Sequence, residues 1–281
     1  MSSQTQLIDE SLSPEPVERE EVHVIFTANG SHEASRQIWR TGALVGMESL
    51  NTRPPPEIPV DFVDWPFSKL EEGFDIGELF DHHIRVVADE QPRYAVAPDI
   101  DDQVAYRDAI EWADELSQYA DIVIVVPKTV LPTDIPSRFR VGMPCQERYG
   151  PPPWRWNQYR PCGSVHLLGG SPVKTLEIPK YGVPVDSVDT SVPVKPAKYG
   201  EYWSATRGKW TKGSAPFYST LQQSYRNLRL AFNERRSIRD VRCRNRRHDW
   251  YRIFRRSTNA ELWGPDEEPP THSRALALGL E

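Results

Sequence analysis

Cysteine is scarce in this chain of 281 residues: there are three, Cys145, Cys162 and Cys243. Their isolation excludes a disulfide framework and gives no structural zinc signature, so we expect no cofactor. No apolar run approaches the ~20 residues of a membrane span, and no basic-then-apolar signal peptide opens the chain. We therefore expect no membrane partner and a cytoplasmic location, which is the host cytoplasm if the protein is viral. A glycine-rich phosphate loop is also lacking after the first predicted strand, which disfavours the alternative fold, a doubly wound sheet.

Proline, by contrast, is abundant at 26 of 281 residues, which predicts many turns and short helices. Between the turns, short β-branched and apolar segments end in acids or glycines and alternate with turns or helical segments. This alternation is typical of a parallel sheet, and the length suits one barrel. We expect an α/β fold, a TIM-type (β/α)8 barrel with irregularities. The predicted strands are 22–27, 60–65, 94–98, 121–127, 138–143, 165–168 and 185–189, with 215–219 as the candidate for the eighth.

The composition divides the chain into four parts. Residues 1–21 are predicted to be a disordered acidic tail, 22–204 the barrel, 205–256 a basic, aromatic-rich segment that completes the barrel, and 257–281 a second acidic tail. Residues 205–256 hold 15 Lys/Arg and three Asp/Glu in a chain of net charge −6. Such asymmetry indicates a nucleic-acid-binding face, the alternative being a solvated basic helix over the barrel.

The stretch VDSVDTSVPVKPAKYG, residues 185–200, places Asp189 at the end of a predicted strand. A carboxylate there, followed by a rigid turn and two cations, suits a nucleophile beside an anion clamp. The turn and the cations that follow Asp189 consist of Pro193, Lys195, Lys198 and Gly200.

This spacing resembles the nucleophile motif of tRNA-guanine transglycosylases, an acid followed by x-x-x-Pro-x-Arg-x-x-Arg-x-Gly. The phage and archaeal relatives that place 7-deazaguanines in DNA are the more similar. Lysines stand where the family has arginines, which is a departure because lysine lacks the bidentate fork of arginine. The resemblance covers roughly residues 22–203 and implies a barrel that exchanges bases through a covalent Asp189 intermediate.

Other site residues follow from the resemblance by their order along the chain. Asp64, with Asp61 as its rival, would be the general acid/base, and Asp99 would accept from the N1 and N2 donors of guanine. Helix capping is the alternative for both Asp64 and Asp99, and Asp101 or Asp102 is expected to cap the helix predicted at 103–119. We expect His166 to be structural. Further base-binding residues would be Gly142, Met143, Glu147, Leu168 and Gly169.

The resemblance implies that Lys195 and Lys198 bind nucleic-acid phosphate, and the basic segment adds a cluster of arginines: Arg242, Arg244, Arg246 and Arg247. The zinc motif of the tRNA enzymes is missing, since only Cys243 and His248 lie in that neighbourhood. The missing zinc motif, together with the lack of room for an appended RNA-binding domain, favours DNA over tRNA as the expected partner. The expected partners are thus DNA, a 7-deazaguanine base, and either an accessory protein or a second copy of the chain. Base exchange in tRNA, a non-catalytic nucleic-acid-binding barrel and a metal-dependent hydrolase are the alternatives.

Overall fold

The computed structural model describes residues 21–28, 30–145 and 154–233. Within these residues eight parallel strands form a closed barrel in the order β1 to β8, and β8 pairs with β1. This confirms the predicted TIM-type (β/α)8 barrel. The strands are β1 His23–Thr27, β2 Leu44–Glu48, β3 Phe62–Asp64, β4 Tyr94–Val96, β5 Ile122–Val125, β6 Arg140–Pro144, β7 Val165–Leu168 and β8 Val185–Thr190.

Helices of very different length connect the strands. The longest in the described ranges are α3 and α8, whereas the connections near the end of the barrel are single turns, as the high proline content predicts. No helix in these ranges combines the length and apolar character that crossing a membrane requires. The α-helices are α1 His32–Trp39, α2 Phe67–Glu71, α3 Ile76–Glu90, α4 Tyr106–Leu116, α5 Trp156–Tyr159, α6 Pro172–Thr175, α7 Val194–Ala197 and α8 Phe217–Asn233.

Seven of the eight barrel strands lie where the sequence predicts them, and one prediction is wrong. The strand that the sequence does not predict is β2. The predicted eighth strand at 215–219 contains the start of α8 instead. Pro216 lies just before that helix, a position that favours helix initiation. In β2, Gly46 weakens the strand pattern. It is needed there because a Cβ atom would lie 3.0 Å from side-chain atoms of Ile25, Thr27 and Phe62.

Helix starts agree with the sequence at α1 and differ at α4. Ser31 is the N-cap of α1, since its side chain accepts a hydrogen bond from the backbone of Ala34. The expectation that Asp101 or Asp102 caps the next long helix is wrong, because α4 has Ala105 at its N-cap without a side-chain hydrogen bond. Asp101 instead accepts from the backbone N–H groups of residues 103 and 104, which closes the preceding turn.

Side chains alternate between the barrel interior and the helical layer. His166 and Asp189 point into the barrel, where the imidazole of His166 stacks on Phe62 with ring centroids 5.5 Å apart. Their neighbours Leu167 and Val188 are fully buried in the apolar core. The interior is therefore polar on the β7–β8 side, whereas the outer layer is apolar.

After the barrel closes, an antiparallel hairpin of β9 Glu201–Ser204 and β10 Lys209–Lys212 leads into α8. This helix packs over β1, with Tyr225 against Phe26 at a centroid distance of 4.2 Å. Asn227 donates to the backbone oxygen of Trp203, and Asn233 accepts from the backbone N–H of Val22. The described part of the basic segment thus packs against β1 and the hairpin.

Candidate active site at the barrel mouth

Four acids lie at the carboxyl ends of barrel strands: Glu48, Asp64, Asp99 and Asp189. Parallel strands in a closed barrel bring these ends to one rim, where (β/α)8 barrels carry their functional residues. Glu48 and Asp64 are register partners on adjacent strands, so their side chains point the same way. The charges of the other three acids all act on Asp64. The four carboxyl groups therefore form one acidic cluster at the mouth.

Asp189 is held by two contacts to the same oxygen. The backbone N–H of Gly169 donates to Oδ1 at 2.9 Å, and Nε2 of His166 lies 3.3 Å from that oxygen. The side chain is 10% exposed, so the carboxyl group is enclosed but not sealed. The resemblance predicts that Gly169 binds the base. Its observed contact is with Asp189, whose orientation it fixes.

Asp64 is the acid of the cluster that most resists ionisation. Burial raises its pKa well above the usual aspartate value, and the negative charges of Asp189, Glu48 and Asp99 raise it further. Some of its surface still reaches solvent, so the group can meet a ligand in the mouth. A protonated carboxyl group beside a nucleophile can act as a general acid.

Asp61 lies at the opposite end of the barrel. Its Oδ2 accepts a hydrogen bond from the backbone N–H of Val45, before the first residue of β3. It ties the amino ends of β2 and β3 together and cannot share the mouth with Asp64. Between the two candidates for the general acid/base, the geometry therefore retains Asp64.

Asp99 is paired with a lysine. The ammonium group of Lys128 lies 2.8 Å from Oδ2 of Asp99 and 3.6 Å from the ring centroid of Phe67. Burial raises the pKa of Asp99, and the charge and hydrogen bond of Lys128 oppose that rise. Each carboxylate oxygen can accept more than one hydrogen bond, so this pairing leaves acceptor capacity for a ligand.

Glu48 is a member of the acidic cluster that the sequence analysis missed. It ends β2, the strand that was not predicted, so no signal marked it as a strand-end acid. Burial raises its pKa, while the positive charge of Lys69 lowers it. Recognising that residues 44–48 form a strand is what would have placed Glu48 in the site.

The residues predicted for base binding around β6 and β7 occupy distinct positions. Gly142 faces the barrel interior, where a Cβ atom would lie 2.8 Å from Val126 and 3.0 Å from Leu168. The side chain of Met143 points the other way and is buried in the core. Leu168 is half-buried at the inner rim. Of this group, Leu168 is therefore the one whose side chain the barrel directs toward the mouth.

Cys145 follows β6 directly and lies beside the cluster. Burial and the charge of Asp189 raise the pKa of its thiol to about 12, so it remains protonated. Its Sγ donates to the backbone oxygen of Met143 at 3.4 Å. Among the described residues, no group of three or more His, Cys, Asp or Glu side chains is arranged to hold a metal ion.

Two of the predicted phosphate-binding residues lie in the described chain, just after β8. Lys195 and Lys198 are exposed at α7, on the same end of the barrel as Asp189. Lys69, Lys128 and Lys174 act electrostatically on groups of the mouth. The mouth thus combines acids in its interior with lysines around it. Outside the described residues lie Glu147, Arg242, Arg244, Arg246, Arg247, Cys243 and His248.

The fold and site define a (β/α)8 barrel with an acidic mouth. Comparison with protein-family models shows which family the chain belongs to. The model described as "Family of unknown function (DUF6610)" matches residues 38–233. The chain belongs to this family. The match spans β2 to β8 and includes all four acids of the mouth, Glu48, Asp64, Asp99 and Asp189. No curated protein matches the chain.

Solved structures give distant likenesses. Phosphoribosyl anthranilate isomerase, in complex with reduced 1-(o-carboxyphenylamino)-1-deoxyribulose 5-phosphate, is 14% identical, with 74% of this chain and 98% of that chain covered and a TM-score of 0.39. A fructose-1,6-biphosphate aldolase structure from Coccidioides immitis is 12% identical, with coverages of 75% and 88% and a TM-score of 0.44. N-(5'-phosphoribosyl)anthranilate isomerase from Pyrococcus furiosus is 14% identical, with coverages of 74% and 98% and a TM-score of 0.30. Likenesses this distant carry no conclusion about substrate or reaction.

Proposed function

We propose that this protein is an enzyme, a pentosyltransferase that replaces guanine in DNA with a 7-deazaguanine. The observation that carries the proposal is that Asp189 and Asp64 lie in one mouth, where the charge of Asp189 acts on Asp64. The Gly169 N–H orients the Asp189 carboxyl group, whereas burial and three neighbouring acids favour the protonated form of Asp64. A nucleophile and a proton donor are the two carboxyl groups that retaining glycosyl transfer requires.

The first half-reaction forms a covalent intermediate. The Asp189 carboxylate attacks C1′ of the deoxyribose, the C1′–N9 bond breaks, and its electron pair leaves with guanine. Asp64 gives its proton to the departing base. The negative charges of the acidic cluster stabilise the oxocarbenium-like positive charge that develops at the sugar.

The second half-reaction reverses these roles with a different base. N9 of the incoming 7-deazaguanine attacks C1′, the bond between C1′ and Asp189 breaks, and the N9 proton passes to Asp64. Both acids return to their starting states, so no redox cofactor or nucleoside triphosphate is consumed. Two displacements at C1′ retain the β configuration.

Two features support a nucleic acid as the partner. Lysines surround the acidic mouth, so a phosphate chain can be held while the sugar lies over the carboxyl groups. Lys195 and Lys198 extend this positive rim on α7. A base flipped out of its stack would reach Asp99 beside Lys128, where a carboxylate can accept from the N1 and N2 donors of guanine.

The choice of DNA over tRNA rests on the motif itself. Lysines occupy the two positions where the tRNA enzymes have arginines, and the three cysteines do not form the zinc motif of those enzymes. Exchange in tRNA is the second candidate because the same carboxyl chemistry acts on ribose. The 2′-hydroxyl is the group that distinguishes the two.

Trapping the covalent intermediate tests the proposal. Purified protein is mixed with guanine-containing DNA, the reaction is stopped by denaturation, and the mass of any protein–DNA adduct is measured. We expect an adduct on Asp189 that is absent from the Asp189→Asn variant. Asp61→Asn is the matched control, because it removes an acid from the opposite end of the barrel and retains an acceptor for the Val45 N–H. An adduct that persists in Asp189→Asn would refute the assigned nucleophile.

A further inference from the structure

A chain of polar side chains leads to Asp189, and its outer members, Arg140 and Asp186, are 18% and 25% exposed. Arg140 of β6 forms an ion pair with Asp186, and Ser187 donates from its hydroxyl to Oδ1 of Asp186 at 3.0 Å. Nδ1 of His166 lies 2.9 Å from the same Ser187 hydroxyl, and Nε2 lies 3.3 Å from Oδ1 of Asp189. His166 and Ser187 are completely buried. The sequence analysis expected His166 to be structural, but it joins the candidate nucleophile to an ion pair.

The hydrogen atoms along this chain can be assigned by elimination. A serine hydroxyl has one hydrogen, and Ser187 uses it for Asp186, which is ionised because it pairs with Arg140. Nδ1 of His166 must therefore be the donor in its contact with Ser187. Nε2 of His166, on the other side of the ring, then faces Oδ1 of Asp189 at 3.3 Å.

We infer that His166 is a positioning residue that, together with the Gly169 N–H, holds Oδ1 of Asp189 and thereby leaves Oδ2 of Asp189 as the attacking oxygen. The role in attack rests on the proposed function, whereas the orientation of the imidazole does not. Oδ1 already accepts the Gly169 N–H and faces Nε2 of His166. Among the described residues no hydrogen bond reaches Oδ2, so that oxygen keeps its lone pairs for C1′.

The walls around the imidazole restrict it to this arrangement. Phe62 covers one side of the ring, stacked at an interplanar angle of 18°, and Tyr94 lies 6.3 Å away between ring centroids. Tyr94 has its own partner, because its hydroxyl meets Nδ1 of His23. The ring of His166 therefore has two polar contacts, Ser187 and Asp189, and its rotation is blocked by aromatic side chains.

Nitrogen NMR of the histidine rings tests the orientation of the imidazole without any substrate. We expect Nδ1 of His166 to carry hydrogen, because it donates to Ser187, both in wild type and in Asp189→Asn. A wild-type ring without hydrogen on Nδ1 overturns the inference even if base exchange is observed. Hydrogen on Nδ1 without base exchange leaves the inference standing and counts against the proposed function instead.

A pair of amide variants tests the positioning role. Glutamine can place an N–H donor where Nε2 of His166 lies, whereas the shorter asparagine reaches only the place of Nδ1. We expect His166→Asn to lower the exchange rate about 10²-fold through misorientation of the nucleophile. His166→Gln should retain the rate to within about tenfold. Equal rates for the two variants would overturn the positioning role, and urea unfolding of each variant identifies losses due to misfolding.

Discussion

Replacing Gly170 with alanine tests whether the turn after β7 sets the position of the nucleophile. Gly170 has a φ of +88°, in the left-handed region, and a Cβ atom there would lie 2.7 Å from Cβ of Cys145 and 2.9 Å from its backbone oxygen. The left-handed backbone costs an L-residue about 1–2 kcal/mol, and overpacking adds about 1–3 kcal/mol. We therefore expect Gly170→Ala to lower the free energy of unfolding by about 2–5 kcal/mol.

Activity should fall for a separate reason. The preceding residue, Gly169, donates its backbone N–H to Asp189, so any shift of the turn moves this donor. A displacement of about 1 Å at a catalytic group can lower a rate about 10²-fold, and we expect an exchange rate reduced to that extent in the folded fraction. Urea unfolding measures the first effect, and the base-exchange rate measures the second.

Gly163→Ala is the matched control. No heavy atom lies within 4 Å of a Cβ atom at Gly163, and its φ lies outside the left-handed region. A change of less than about 0.5 kcal/mol is expected there. If Gly170→Ala were as stable and as active as Gly163→Ala, the proposed link between this turn and Asp189 would be refuted.

The remaining predictions concern the acids and lysines of the mouth. Because the pKa of Asp64 is raised on folding, its ionisation destabilises the native state as pH rises. Asp64→Asn should therefore be more stable than wild type at pH 7. Urea unfolding at several pH values should show this difference in the free energy of unfolding shrinking toward pH 4. The same variant should lose about 10²–10⁴-fold in exchange rate, which a rate close to that of wild type would contradict. Asp99→Ala should weaken the preference for guanine over a base without the 2-amino group in a competition assay, and an unchanged preference would move recognition away from the Asp99–Lys128 pair. Replacing Lys195 and Lys198 with alanine should reduce the slope of log affinity against log salt by about one unit for each phosphate that a lysine no longer neutralises, whereas an unchanged slope would place both lysines outside the nucleic-acid interface.

The sequence predicts the barrel well because its strands carry local signals. Runs such as VHVIFT and IVIV are apolar, β-branched and bounded by turns, so they are recognisable one at a time. The strand LVGME is not recognisable in this way, because Gly46 interrupts its apolar pattern. The glycine is required by side chains of neighbouring strands. The side chains of Ile25, Thr27 and Phe62 leave no space for a Cβ atom there, and no local pattern contains that information.

The same distinction applies to the site. Asp64, Asp99 and Asp189 could be proposed because each follows a recognisable strand, and the barrel brings all three to one rim. The contact between His166 and Asp189 could not be proposed, because it depends on which face of β7 points inward. The register between β7 and β8 is irregular at Val165 and His166, and a shift of one residue in the pairing would turn His166 outward.

Incorporation of labelled base tests the central claim most directly. Purified protein is incubated with duplex DNA and labelled guanine or a labelled 7-deazaguanine, and in parallel with unmodified tRNA, and nucleosides from each nucleic acid are analysed by mass spectrometry. The account predicts label in deoxyguanosine or its 7-deaza counterpart with wild-type protein, and none with Asp189→Asn. Label in tRNA alone would contradict the choice of DNA, and label in neither nucleic acid across several bases would contradict base exchange.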